Sequence, residues 1–354
     1  MCEATAFDPL GVRSDFGDLR AYARNVANPA RFDRWIWRCT ICGLQFAYPE
    51  YTDDELNELY GPAGYVTLMQ SMLHARPTTE NLENWCDEYR ALGVLEMLRT
   101  SRTSVSALRM LDVGCGMGNA LQVFQQLGFR VTGIDVSGPE VEYVRKTLGV
   151  EVKQESLDDH VRRGVRYDVV LAAHVVEHVN RPRSFVEQLW KLVEPGGLLI
   201  LETPLTNDYG TTSQRYRDIY HTLFFDHFTL ALLASRASLR AVAWQNLLSY
   251  GPGDWSTNAF IRVVLREADA HSNEAGVRAL SSLRSAYDGL LGDADSWMRS
   301  TLLAHHPVQT LQFSSHNAVR RRLASMERTL PWTRGLRMRL QTLRSKLRGS
   351  AFTD

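Results

Sequence analysis

The sequence has no uninterrupted apolar run near the ~18 residues a membrane-crossing helix needs. Its opening, MCEATAFDPLGVRSDFGD, lacks the basic-then-apolar order of a secretory leader. Cysteine is scarce: there are five in 354 residues, one of them between glycines, which excludes a disulfide framework. A cytoplasmic protein is therefore expected. Net charge is absent too, with 40 basic against 40 acidic residues, but the balance hides a separation. Residues 315–354 hold ten Lys and Arg against two acids, so the body of the chain is acidic and its end basic. What is present, 44% hydrophobic and 23% charged residues, fits a globular chain long enough for one large domain with appendages or for two domains.

The chain is organised around residues 110–137, MLDVGCGMGNALQVFQQLGFRVTGIDVS. An apolar strand runs into Gly114-Cys115-Gly116-Met117-Gly118, a helix-period run follows (Leu121, Phe124, Leu127), and a second strand ends at Asp135. This is half of a nucleotide-binding βαβ unit. Gly114 permits the tight bend, Gly116 lets the backbone approach a ligand, and Gly118 allows close packing of helix on strand. Asp135, about 20 residues past the first glycine, is placed to accept hydrogen bonds from both ribose hydroxyls. Asp112 stands where the dinucleotide fingerprint has an apolar residue, and the glycines are spaced D-x-G-x-G-x-G. A carboxylate there repels a pyrophosphate on the helix N-terminus but suits a ligand with a cationic amino-acid end.

At these residues the sequence resembles the class I S-adenosylmethionine-dependent methyltransferases. The resemblance continues through Val131-Thr132-Gly133-Ile134-Asp135, Tyr167-Asp168-Val169-Val170-Leu171 and Leu192-Val193-Glu194-Pro195-Gly196-Gly197, covering about half the chain, residues 85–266. It implies a doubly wound, seven-stranded, mostly parallel Rossmann-like α/β sheet, with S-adenosyl-L-methionine as cofactor. Residues 81–268 form this domain in the present reading, 1–80 a small N-terminal region, and 269–354 a helical basic extension. The cofactor-binding set is Asp112, Gly114, Cys115, Gly116, Gly118, Asp135, Val136, Glu155, Ser156, Leu157 and Ala173. Glu155 is carried over as the acidic side chain near the adenine amine, with a solvent-facing Glu as the alternative.

Upstream, Cys39-Thr40-Ile41-Cys42-Gly43-Leu44 is a turn of the sort that presents two thiolates to zinc. Some methyltransferases acting on sugars carry a ribbon ending in a similar phrase, followed here by Pro49, Asp53-Asp54-Glu55-Leu56 and Tyr60. The other C-x-x-C half is missing, and two cysteines cannot close a structural site. A truncated ribbon that survives as packing is expected. Residues 81–98 carry a helical apolar stripe, which reads as core.

Past the fourth expected strand stands Ala173-His174-Val175-Val176-Glu177-His178. His174-x-x-Glu177-His178 matches the inverted zinc-peptidase pattern, but His174 falls at a strand tip and need not share a helical face with His178. Glu177 and His178 are expected to buttress the loop, with no metal. The alternative comes from the ubiquinone-pathway O-methyltransferases, whose similar E-x-x-E-H phrase binds a divalent metal; here His174 replaces the first Glu. His174 faces the crevice beyond the strand ends and is the first catalytic candidate, as a base. His221 is the second. It follows a polar, Tyr-rich stretch over 205–220 that reads as a lid, in a phrase similar to the Y-H-E-H of deoxysugar C-methyltransferases, of which Tyr220 and His221 are kept and Thr222-Leu223 are not.

Residues 239–244 and 258–265 read as two strands, and the chain then becomes helical. Leu336, Leu340, Leu343 and Leu347 form a stripe in a basic helix that implies packing or self-association, or contact with a membrane surface. No basic groove studded with aromatics accompanies it, so no nucleic acid is expected. The chain reads as an enzyme methylating a small-molecule acceptor, on oxygen of a sugar, lipid-linked saccharide or secondary metabolite. The alternatives are C-methylation of a deoxysugar-type substrate and a non-catalytic methyltransferase-like binding module. A nicotinamide oxidoreductase is a third class.

Overall fold

The computed structural model describes residues 5–14, 32–59, 108–204, 220–249, 258–268 and 308–313. The helix expected over 81–98, the lid over 205–219, the Gly251-Pro252-Gly253 loop and the basic helix near the C-terminus lie outside the described residues.

Three strands come first, β1 (Phe7–Ser14), β2 (Arg34–Cys39) and β3 (Gln45–Tyr48), then α1 (Asp53–Leu59). The alternating unit follows: β4 (Arg109–Val113), α2 (Asn119–Leu127), β5 (Arg130–Asp135), α3 (Gly138–Thr147), β6 (Val152–Gln154), α4 (Leu157–Arg162) and β7 (Tyr167–Ala173). A 3-10 turn (Val176–His178) leads to α5 (Pro182–Lys191) and β8 (Val193–Pro204). The rest comprises β9 (Leu223–Phe224), α6 (His227–Arg236), β10 (Leu239–Ser249), β11 (Asn258–Glu267) and β12 (Val308–Phe313).

Eight strands form the main sheet in the order β12-β10-β11-β8-β7-β4-β5-β6. β6 to β8 are parallel, and β11 runs antiparallel to β8 and to β10. The parallel strands are buried along most of their length, as helices on both faces demand, and so read as continuous apolar runs. The chain winds outward through β5 and β6, then returns to lay β7 on the other side of β4. That reversal opens a crevice at the carboxyl ends of β4 and β7.

The seven expected strands are all there, with one shift. The third expected strand, over 150–152, begins at Val152 instead, because Gly149 takes a left-handed φ of 61° after α3 and holds the chain in a turn. The extension was expected to be helical, yet its described residues form β12, an eighth strand parallel to β10. Val308-Gln-Thr-Leu-Gln-Phe has β-branched residues at its first and third positions and an aromatic at its last, which suits a strand.

A second sheet, β1-β2-β3-β9, joins the N-terminal strands to a short strand from beyond β8. β9 comes from beyond β8, and Ala47 N donates to Thr222 O at 2.9 Å. Cys39, Cys42 and Leu44 pack in the same buried cluster as Leu111, Val170 and Leu199. The ribbon-like turn is thus continuous with the main core. Cys42 N lies 3.4 Å from Cys39 Sγ, and both thiols are buried.

Candidate functional site

The glycine turn connects β4 to α2. Gly114 N donates to Ile134 O at 2.9 Å, tying the bend to the end of β5. Gly114, Gly116 and Gly118 have φ of 70°, 49° and 73°, the left-handed region where side chains strain the backbone. Their surroundings differ. A Cβ on Gly114 would meet Val175 Cγ2 at 2.6 Å, whereas one on Gly116 would meet nothing within 4 Å. Gly118 packs on Val144 and Leu148 at the end of α3, so its closeness serves helix on helix, where helix on strand was expected. It is Gly133, inside β5, that receives the helix: a Cβ there would meet Leu121 Cδ1 at 2.5 Å and Cys115 Sγ at 2.8 Å. Gly118 caps α2 without a side-chain bond, so the open Gly116 lies beside a helix end rich in backbone donors.

Asp112 is buried at the end of β4. Asp135 ends β5, and its carboxylate accepts from Gly116 N at 2.8 Å and Ser137 N at 2.9 Å. Burial pushes its pKa up and these backbone bonds oppose that. Cys115 is buried, and burial together with the Asp112 and Asp135 charges pushes its thiol far up, so it is an inert packing group. Val136 stands two-thirds exposed beside Asp135, an apolar surface next to the open turn.

Glu155, Ser156 and Leu157 serve α4. Glu155 holds His160 Nδ1 at 2.5 Å and Arg163 Nη2 at 2.5 Å, one on each carboxylate oxygen. Ser156 caps α4 by accepting from Asp159 N, and Leu157 packs against the core. His160 is fully buried between Glu155 and Tyr167, whose hydroxyl lies 3.1 Å from Nε2.

Across the crevice β7 ends at Ala173, opposite Glu202 of β8. His174 then takes a φ of 57°, rare for a residue with a side chain, and a 3-10 turn begins two residues on. His174 and His178 therefore share no helix, and the peptidase arrangement is absent. His174 Nδ1 lies 3.3 Å from Glu177 Oε1 and Nε2 lies 3.4 Å from Glu202 Oε1. Burial pulls its pKa down, but the two carboxylates outweigh it and push the ring up to about 9. At neutral pH His174 is a cation. His174, expected as a base, thus stands between two carboxylates, one three residues on along the chain and one from β8.

Glu202 completes a buried row. Its Oε2 accepts from Arg262 Nη2 at 2.6 Å and Nε at 3.0 Å, and Arg262 is 0% exposed. Two carboxylates and two cations thus alternate over β7, β8 and β11. Neither Glu202 nor Arg262 was singled out from the sequence. The sign was there in a glutamate closing the apolar run Leu198-Leu-Ile-Leu201 and an arginine inside Phe260-Ile-Arg-Val-Val.

Glu177 draws a further group together. It is buried, its Oε2 accepts from Thr203 Oγ1 at 3.0 Å, and its carbonyl accepts from Thr222 N at 2.9 Å. That last bond carries the segment around His221 onto the 3-10 turn, so the His178 and His221 rings lie 4.9 Å apart. Donor atoms of Glu177, His178 and His221 all fall within 4.8 Å of one another. Burial pushes the Glu177 carboxyl up, yet His174, His178 and His221 prevail and hold it down at about 2.

Residues 83–246 match a family model described as a methyltransferase domain. A ubiquinone biosynthesis O-methyltransferase of a Caulobacter strain is 35% identical over 124 residues, 32% of this chain and 48% of that one. Its counterpart from Maricaulis maris is 37% identical over 106 residues, 27% of this chain and 40% of that one. The chain spans about half the length, or less, of the curated relatives it matches. Among solved structures, a Burkholderia thailandensis 1,6-didemethyltoxoflavin-N1-methyltransferase aligns with 64% of this chain and 96% of its own at 18% identity and a TM-score of 0.42.

Proposed function

We propose that the class I methyltransferase domain at the centre of this chain transfers a methyl group from S-adenosyl-L-methionine to a hydroxyl of a small-molecule acceptor. One observation carries the reading: Asp112 and Asp135 flank a glycine turn whose middle member, Gly116, has open space where a side chain would be. Asp112 would hold the ammonium end of the cofactor along that turn, Asp135 its ribose, and Val136 and Leu157 its adenine. Glu155 and Ser156 act one step removed, by fixing α4. The acceptor oxygen attacks the methyl carbon as the carbon–sulfur bond breaks. S-adenosylhomocysteine leaves, and the hydroxyl proton would pass to His221, with His174 beside it. Because sulfonium is a strong leaving group, placement supplies most of the rate.

The O-methyltransferase names of the relatives support oxygen as the acceptor atom; a sugar, a lipid-linked saccharide or a secondary metabolite is the acceptor class we favour. Calorimetry with S-adenosylmethionine and S-adenosylhomocysteine should show both binding. Asp135→Ala should weaken both by about 150-fold or more, the loss expected from two hydrogen bonds to a charged group. A protein that binds neither, or binds NAD instead, refutes the reading. Turnover against sugars, phenols and lipid-linked saccharides, with the methylated atom located by mass spectrometry, separates oxygen from carbon transfer.

A further inference from the structure

We propose that the cavity between the second sheet and the start of α5 binds a small organic ammonium ion, an amine carried on one compact hydrocarbon body. The cavity holds about 210 Å³. Its apolar walls come from separate segments: Phe7 and Phe46 from β1 and β3, Leu44 from the turn between β2 and β3, Pro182 from α5 and Leu223 from β9. Small-molecule sites favour such seams, with a few polar groups set in an apolar lining. A single ring with a short arm matches the space, since about 150 Å³ takes up a benzene molecule.

The polar groups decide the sign of the ligand. Glu50 lines the cavity from an exposed position, which puts its carboxylate at the mouth, and among the described residues no cation pairs with it. Thr222 spends its hydroxyl hydrogen on Glu177 O at 3.0 Å, so only lone pairs are left on that oxygen. Asn180 spends an amide hydrogen on Tyr51 O at 3.1 Å, and its side-chain oxygen accepts nothing from the described residues. Pro182, at the first position of α5, has no N–H to offer. One negative charge and a set of acceptors suit an ammonium with its three hydrogens, and they repel a carboxylate or a phosphate.

The rings agree with that sign. Phe7 and Phe46 meet edge to face, their centroids 5.3 Å apart and their planes at 81°, and Phe7 is 43% exposed. An aromatic face near a carboxylate adds its own attraction for a cation, and the ligand's hydrocarbon body packs on the same walls. The site is separate from the cofactor turn, for neither Asp112, Asp135 nor any residue of 114–118 lines it. It adjoins the crevice through Thr222, which has His221 on one side and Leu223 of the cavity wall on the other.

The test is calorimetric titration of the full chain with benzylamine and with benzyl alcohol, its uncharged counterpart. One benzylamine per chain should bind, about 5-fold or more tighter than benzyl alcohol, the size expected of an exposed charge pair assisted by a ring. Glu50→Gln should weaken benzylamine about 3- to 5-fold and leave benzyl alcohol unchanged. Its exposed position keeps the fold intact, which circular dichroism checks. Saturating S-adenosylhomocysteine should leave benzylamine in place. Absence of saturable heat, equal affinity for the two ligands, or unchanged benzylamine binding in Glu50→Gln overturns the site. Displacement by S-adenosylhomocysteine overturns it as well, since that puts the amine at Asp112. Benzylamine binding needs no cofactor, so the methyl-transfer reading stands or falls by its own experiment.

Discussion

Glu140 shows how a single side chain couples this crevice to pH. It lies in the first turn of α3, 3% exposed, with Oε1 lacking a hydrogen-bond partner. Burial pushes its carboxyl from 4.5 up to about 7; Ser137 opposes the shift and the Asp135 charge adds to it. An acid whose folded pKa lies above its unfolded value binds protons more tightly when folded. Its contribution is therefore complete below about 4.5 and lost as pH rises through about 7. Glu140→Gln keeps the shape without the charge. In denaturant melts it should gain as much as about 3 kcal/mol over the unmodified protein near pH 8 and change little near pH 4.

At the scale of the element, the turn between β4 and α2 separates two duties that its glycines share in sequence. Gly114→Ala would drive a methyl group into Val175, 2.6 Å away, and disturb the segment leading to the 3-10 turn. Gly116→Ala meets nothing within 4 Å, so its structural cost is the left-handed backbone alone, about 1–2 kcal/mol. The expected outcome is a folded Gly116→Ala protein with S-adenosylmethionine binding largely lost, measured by calorimetry beside a thermal melt. Binding equal to the unmodified protein would remove the cofactor from this turn. The pattern of strand, glycine turn and helix was legible because every constraint in it is local: apolar strand, left-handed glycines, helical stripe. The role of Gly118 was legible only in part, since Val144 and Leu148 reach it from a helix whose position follows from the sheet.

Over the whole molecule, the row His174, Glu202 and Arg262 stitches β7, β8 and β11 together where the parallel sheet meets its antiparallel edge. Removing one partner of a buried pair leaves a charge without compensation. Arg262→Leu should cost about 3–5 kcal/mol and lower the melting temperature accordingly, while replacing Glu202 and Arg262 together should cost less than their separate effects summed. The N-terminal sheet packs continuously with the main one: β9 closes it from beyond β8, Asn180 Nδ2 donates to Tyr51 O at 3.1 Å, and Cys39 and Cys42 sit in the shared core.

The sequence by itself determined the glycine turn and the two carboxylates that flank it, since these follow from periodicity and backbone conformation over a few dozen residues; the winding of the sheet was implied by the resemblance to class I methyltransferases. It also brought His174 and His221 forward as reactive groups. Tertiary structure decided what each of them does. His174 became a cation because β8 sets Glu202 beside it, and Glu155 became an anchor of α4 because His160 and Arg163, five and eight residues on, return to it. His221 came to His178 through the bonds from Thr222 to the carbonyl of Glu177 and from His178 Nδ1 to the carbonyl of Tyr220. Charge and coordination depend on distances of a few ångströms, and separation along the chain does not encode those distances until the sheet has closed.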